Sequence, residues 1–131
     1  MDSPKLGAQE TPWEVTFYET AQGQRPAEEW LKQQPVKAQG RFAWIFDLLE
    51  EHGTDVREPY VAHIRAKIWE VRVEHDRVQR RLLYFPAPER KFVMLHGFVK
   101  KTQRTPAKEI AVSEQRMRDY MTRLGPKRKG G

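Results

Sequence analysis

No cysteine occurs among the 131 residues, which excludes disulfides, thiolate nucleophiles and thiolate zinc sites. The four histidines, His52, His63, His75 and His96, show no HxxxH-type spacing, so no metal site and no cofactor is expected. No apolar run approaches the roughly 20 residues that cross a bilayer. The opening Met1-Asp2-Ser3-Pro4-Lys5 lacks the apolar segment of a signal peptide. The expectation is a cytoplasmic protein without membrane association. The length suits one domain with a modest core, and 38% hydrophobic against 32% charged residues is a globular balance.

What the chain does have is positive charge, unevenly placed. The formal net charge is +6 and the pI about 9.7. From His63 to Lys108 there are 12 Lys+Arg and 4 Asp+Glu, a balance of +8; the remaining 12 Lys+Arg and 14 Asp+Glu balance at −2. Positive charge concentrated on one surface attracts a polyanion and speeds encounter with it. The partner it points to is a nucleic acid or an acidic protein.

Patterning predicts tails over 1–12 and 125–131 flanking a single domain over 13–124. In Trp13–Glu19, Trp13, Val15 and Phe17 alternate with Glu14, Thr16 and Tyr18, a strand pattern. Pro26 suits the first position of a short helix that buries Trp30 and Leu31. A second helix spans about Val36 to Glu51, with Ala38, Phe42, Ile45 and Leu49 at helical spacing and Gly53 closing it. Three strands are predicted at Ala66–His75, Arg77–Phe85 and Lys91–Val99, with connections short enough for an antiparallel meander. A last helix begins at Thr105-Pro106 and runs to about Leu124, with Ile110, Met117, Met121 and Leu124 as its apolar face. The fold class is α+β: an antiparallel or mixed sheet of about four strands, two N-terminal helices on one face and a C-terminal helix.

Strand parity sorts the charges. Ile68, Glu70, Arg72 and Glu74 share one face, opposite Trp69, Val71 and Val73. Arg81 lies with Leu83 and Phe85, and Arg80 with Leu82 and Tyr84. Phe92, Met94, His96 and Phe98 are expected on one face of the last strand. If helices cover one face only, the other is a half-polar surface where Arg72 and Arg81 can meet, with Lys100 and Lys101 at the rim. Arginines there suit phosphate, because the planar fork stays charged and binds through two bonds. Fixed cations stabilise the charge that accumulates when a 2′-hydroxyl attacks phosphorus. A lysine lowered by cationic neighbours, or a histidine, can move the proton. Plainer readings stand beside this one: Arg72 in a salt network with Glu70 and Glu74, Arg80 and Arg81 as ordinary strand arginines, His96 as a core histidine, and the basic sheet as a passive RNA-binding surface.

The element order, with Lys67-Ile68-Trp69-Glu70-Val71-Arg72, Arg81-Leu82-Leu83-Tyr84-Phe85 and the long stretch from His96 to Pro106 followed by Glu109-Ile110, resembles the RelE/HigB toxin superfamily in its phage-derived HigB-like branch. The resemblance implies the toxin of a type II toxin–antitoxin module, an endoribonuclease that cleaves mRNA on the translating ribosome without a metal. It implies a cognate helix-turn-helix, HigA-like antitoxin, with operator DNA reached only through that partner. Carried onto this chain, Arg72, Arg81, Lys100 and Lys101 match the family's basic catalytic positions, with Lys67, Arg80, Arg104 and Lys108 expected to contact RNA. Some relatives carry a tyrosine or histidine near the end of the last strand for proton transfer. Here Phe98 and Val99 stand there, and His96 is the nearest titratable substitute, with Tyr84 another. The alternative is a non-catalytic RNA-binding or co-repressor module with a toxin-like fold.

Overall fold

The computed structural model describes residues 12–125; apart from Pro12 and Gly125, the predicted tails lie outside them. The chain runs as β1 (Glu14–Phe17), α1 (Pro26–Lys32), α2 (Val36–His52), a 3-10 turn (Gly53–Asp55), β2 (Val61–Arg65), β3 (Ile68–His75), β4 (Val78–Ala87), β5 (Lys91–Lys100) and α3 (Ala107–Leu124). Pro26 occupies the first turn of α1, with Glu28 and Glu29 near its N-terminus and Lys32 in its last turn, charges that match the helix dipole. In α2, Ala38, Phe42, Ile45 and Leu49 are the buried residues. Gly53 ends that helix at φ +61°, its N–H donated to the Leu49 carbonyl. A side chain at Gly53 is also barred, since a Cβ would lie 2.6 Å from Nε1 of Trp13.

The strands form one mixed sheet in the order β1-β5-β4-β3-β2, with β1 parallel to β5 and the other neighbours antiparallel. Five strands replace the expected four. The additional one is β2, and the strand predicted from Ala66 begins only at Ile68, because Ala66 and Lys67 form the turn between β2 and β3. Ala66 takes a left-handed φ of +52° there. That turn has none of the glycine, asparagine or proline chemistry that marks turns in a sequence.

Helices cover both faces of the sheet. α1 and α2 seal one core, in which Ala27, Phe42 and Leu49 meet Val71, Leu82, Tyr84 and Met94. α3 seals a second core, in which Ile110 meets Ile68, Leu83, Phe85, Val93 and Leu95, with Met117 and Tyr120 packed against it. Met121, assigned to the apolar face of that helix, is instead exposed. The open basic surface is therefore the part of the second face that α3 leaves uncovered. A bulge in β5 also overturns the parity expected there. Leu83 pairs with His96 and Tyr84 with Met94, leaving Leu95 without a partner in the register. Phe92 and Met94 consequently face α1 and α2, whereas His96 and Phe98 turn to the α3 side.

Candidate functional site

Pairing register turns the second face into rungs. Glu70, Leu83 and His96 form one; Arg72, Arg81 and Phe98 the next; Glu74, Gln79 and Lys100 the last. α3 lies over the first rung and shares its core with Phe98 of the second, where Arg81 is buried and Arg72 half-exposed; the face opens toward Lys100. Arg72 and Arg81 are thus direct cross-strand neighbours, where Cβ atoms stand about 5 Å apart. Like charges at that separation repel unless a counter-charge lies between them.

Glu70 supplies it. Its carboxylate is fully buried, with Oε2 2.9 Å from Nε of Arg72 and 3.4 Å from Nε of Arg81. The first contact is an aligned hydrogen bond; the second is an ion pair without hydrogen-bond alignment. Oε1 accepts a bond of 3.0 Å from the Thr105 hydroxyl. Arg81 is further fixed by bonds to the Arg80 carbonyl (3.0 Å) and to Oε1 of Gln79 (3.1 Å). A buried carboxylate is tolerated only when paired and hydrogen-bonded. In return it holds both guanidinium groups in place.

Lys100 completes the group. Together with Arg81, Gln79, Lys101, Thr102 and Gln103 it lines an open cleft of about 660 Å³. Burial lowers the Lys100 ammonium below the usual lysine value of 10.5; Glu70 opposes that shift, and Arg81 and Arg72 add to it. Burial likewise lowers Arg81, with Glu70 opposing and Arg72 adding. The cleft therefore offers fixed cations beside an amine that releases its proton more readily than a free lysine.

The other predicted residues distribute differently. Arg80 is buried on the α1–α2 side, its Nε bonded to Oε1 of Gln34 (2.9 Å) and its terminal nitrogen to the His75 carbonyl (3.1 Å), so it does not line the cleft. Lys67 lies in the β2–β3 turn, at the opposite end of β3 from its last rung. His96 has Nε2 2.6 Å from Oε1 of Glu109 and Nδ1 3.5 Å from Arg116, which ties it to α3 rather than to the cleft. Tyr84 is buried in the α1–α2 core, where burial raises its hydroxyl pKa well above the usual value. Arg104 is exposed in the loop after β5 and Lys108 at the start of α3, both on the segment that carries Thr105 to Glu70. Thr105, read as a helix cap, spends its hydroxyl on Glu70 instead, and α3 begins at Ala107 without a side-chain cap. The plainer reading of Arg72, a salt network with Glu70 and Glu74, holds for Glu70 as an ion pair, but Glu70 is buried, and its organising position depends on the loop after β5, whose Thr105 reaches it. Among the described residues no helix is long and apolar enough to cross a membrane.

No curated protein matches the chain. Residues 29–118 match the family described as Phage derived protein Gp49-like. That stretch holds α2, four of the five strands and most of α3, including every residue of the cationic cleft. This chain belongs to the phage-derived Gp49-like family, a RelE/HigB-like toxin family of toxin–antitoxin systems.

Proposed function

We propose that this chain is a HigB-like endoribonuclease toxin that cleaves mRNA on the translating ribosome, and that its active surface is the cleft of Arg81, Lys100 and Lys101 together with Arg72, the cross-strand neighbour of Arg81. The observation that carries the reading is the cross-strand arginine pair, Arg72 half-exposed and Arg81 buried, on the same sheet face as Lys100, a lysine of lowered pKa. The 2′-oxygen attacks the adjacent phosphorus, the new O2′–P bond forms and the P–O5′ bond breaks, giving a 2′,3′-cyclic phosphate and a 5′-hydroxyl. Arg72 and Arg81 bind the phosphoryl oxygens as their charge grows. Lys100 in its neutral form takes the 2′-hydroxyl proton, and a protonated group, Lys101 or a water, delivers one to O5′. Lys101, Arg104 and Lys108 hold the flanking phosphates. In this scheme the cations carry the charge stabilisation, and cleavage persists in the presence of a chelator.

The antitoxin partner is a HigA-like helix-turn-helix protein that also binds the operator. Expression of the chain alone arrests growth, and Arg72→Ala or Arg81→Ala relieves the arrest while the protein stays folded. Full toxicity in both folded variants contradicts the site. A second reading, RNA binding or co-repression without cleavage, is favoured by one observation: both arginines already pair with Glu70. It predicts that RNA is bound but left intact when translating ribosomes are supplied.

A further inference from the structure

A second cavity adjoins the cationic cleft and has a different character. It is about 380 Å³ and lies between α2 and the end of β3, where β2 no longer covers the sheet edge. Trp44 and Tyr60 form one wall, with ring centroids 5.2 Å apart at an interplanar angle of 74°. Arg41 and Arg72 stand around them with one carboxylate, Glu74, so cations outnumber it; Gln79 and Arg81 are shared with the cleft that holds Lys100. The two cavities therefore form one continuous surface that turns at Arg81.

Trp44 is 51% exposed and Tyr60 36%. Trp44 lies outside the stripe that packs α2 on the sheet, Ala38, Phe42, Ile45 and Leu49, so core packing does not account for it. Exposed aromatic rings ringed by guanidinium groups are the equipment with which proteins hold unstacked bases, because every base has a π-face and its phosphate is adjacent. A single nucleotide fits the size: ligand pockets begin at about 300 Å³. An acidic peptide is the competing occupant. It would use the arginines, but it does not require two aromatic rings at the mouth of a phosphate-binding cleft.

We propose that this cavity is a nucleobase subsite. It takes the base of a nucleotide next to the scissile phosphate, stacked on the Trp44–Tyr60 wall, while Arg72 and Arg81 hold the phosphate. This rests on the RNA-cleavage reading and extends it from phosphate to base. The site makes contact with RNA dependent on a base at one position, in contrast to a cleft of cations alone, which reads every position equally.

The test is a binding cycle that requires no cleavage. The probe is a short single-stranded RNA with a 2′-deoxy nucleotide at the cut position, together with a set of the same oligomer made abasic at one position each. Wild-type protein is expected to lose about five- to a hundredfold in affinity at one abasic position, the span of base–aromatic stacking. Trp44→Ala and Tyr60→Ala are expected to lose a similar factor on the intact oligomer and nothing further on that abasic one. Trp44→Phe, which retains a stacking face, is expected to recover most of the affinity and guards against a fold defect. Equal affinity of the folded Trp44→Ala, Tyr60→Ala and wild-type proteins for intact RNA overturns the subsite. Loss of antitoxin binding in Trp44→Ala with RNA binding unchanged also overturns it, by assigning the surface to a protein. If the cycle holds while no RNA is cut on ribosomes, the base subsite stands and the catalytic reading fails, so the two outcomes are separable.

Discussion

Glu70 has two opposed effects on the cluster. It neutralises part of the positive charge that Arg72 and Arg81 offer to phosphate, and it keeps those guanidinium groups in one geometry. Glu70→Gln removes the counter-charge and leaves Arg81 buried beside another cation. Losing one partner of such a pair costs on the order of 3 kcal/mol, to be read from a denaturant midpoint, with a larger fall in kcat than in RNA affinity. Lys100 has a pH consequence. Because folding lowers its pKa, the unfolded chain binds the extra proton between the folded value and 10.5, so stability rises with pH across that interval. Below it, Lys100 is charged in both states and the burial penalty is fully present. If Lys100 is the base, the cleavage rate climbs with pH to an apparent pKa below 10.5, and Lys100→Arg removes the climb while keeping the charge. An unchanged profile in Lys100→Arg excludes the lysine as base. At His96, paired with Glu109, alanine is expected to lower stability by about 1–2 kcal/mol and to leave the cleavage rate within a few fold.

At the scale of elements, the hinge of the architecture is where α1 crosses β5. A Cβ at Gly97 would lie 2.1 Å from the Trp30 ring, so only glycine lets the helix sit that close. Gly97 is flanked by His96 and Phe98, and two residues later the strand reaches Val99 and Lys100. Gly97→Ala therefore forces Trp30 to move and lowers stability by about 1–3 kcal/mol, seen as a shift in thermal midpoint; no shift would mean that α1 is not seated as described. Much at this scale was legible beforehand. The 3.6 period of α2, the proline starting α1 and the short connections of the meander each carry their own physical signal. β2 was not legible, because its five residues are short and the Ala66-Lys67 turn lacks turn chemistry. The flip of β5 was not either: a bulge at Leu95 is set by how two strands pair, and strict alternation cannot register one extra residue. That residue decides which side His96 faces. The arginine pair survives because Arg72 and Arg81 meet across β3 and β4, whose register runs unbroken there. Arg80, next in sequence, alternates to the other face and is absorbed by Gln34.

Across the whole molecule, the positive balance of residues 63–108 resolves into distinct uses. Arg80 is structural, Glu70 offsets part of the Arg72–Arg81 charge, and Lys101, Arg104 and Lys108 remain exposed along the segment leaving β5. With about four phosphates engaged, log affinity for single-stranded RNA is expected to fall with log salt at a slope near −3, and Lys101→Ala to reduce that slope by about 0.7. A slope near zero would mean the basic segment does not meet RNA. The most direct test of the central claim is mapped cleavage in a translation reaction supplied with purified protein. Wild type is expected to cut the message and leave 2′,3′-cyclic phosphate and 5′-hydroxyl ends, with the rate reduced at least a hundredfold in folded Arg81→Ala. Cutting by Arg81→Ala at the wild-type rate, or intact message with folded wild-type protein bound to it, would contradict the account.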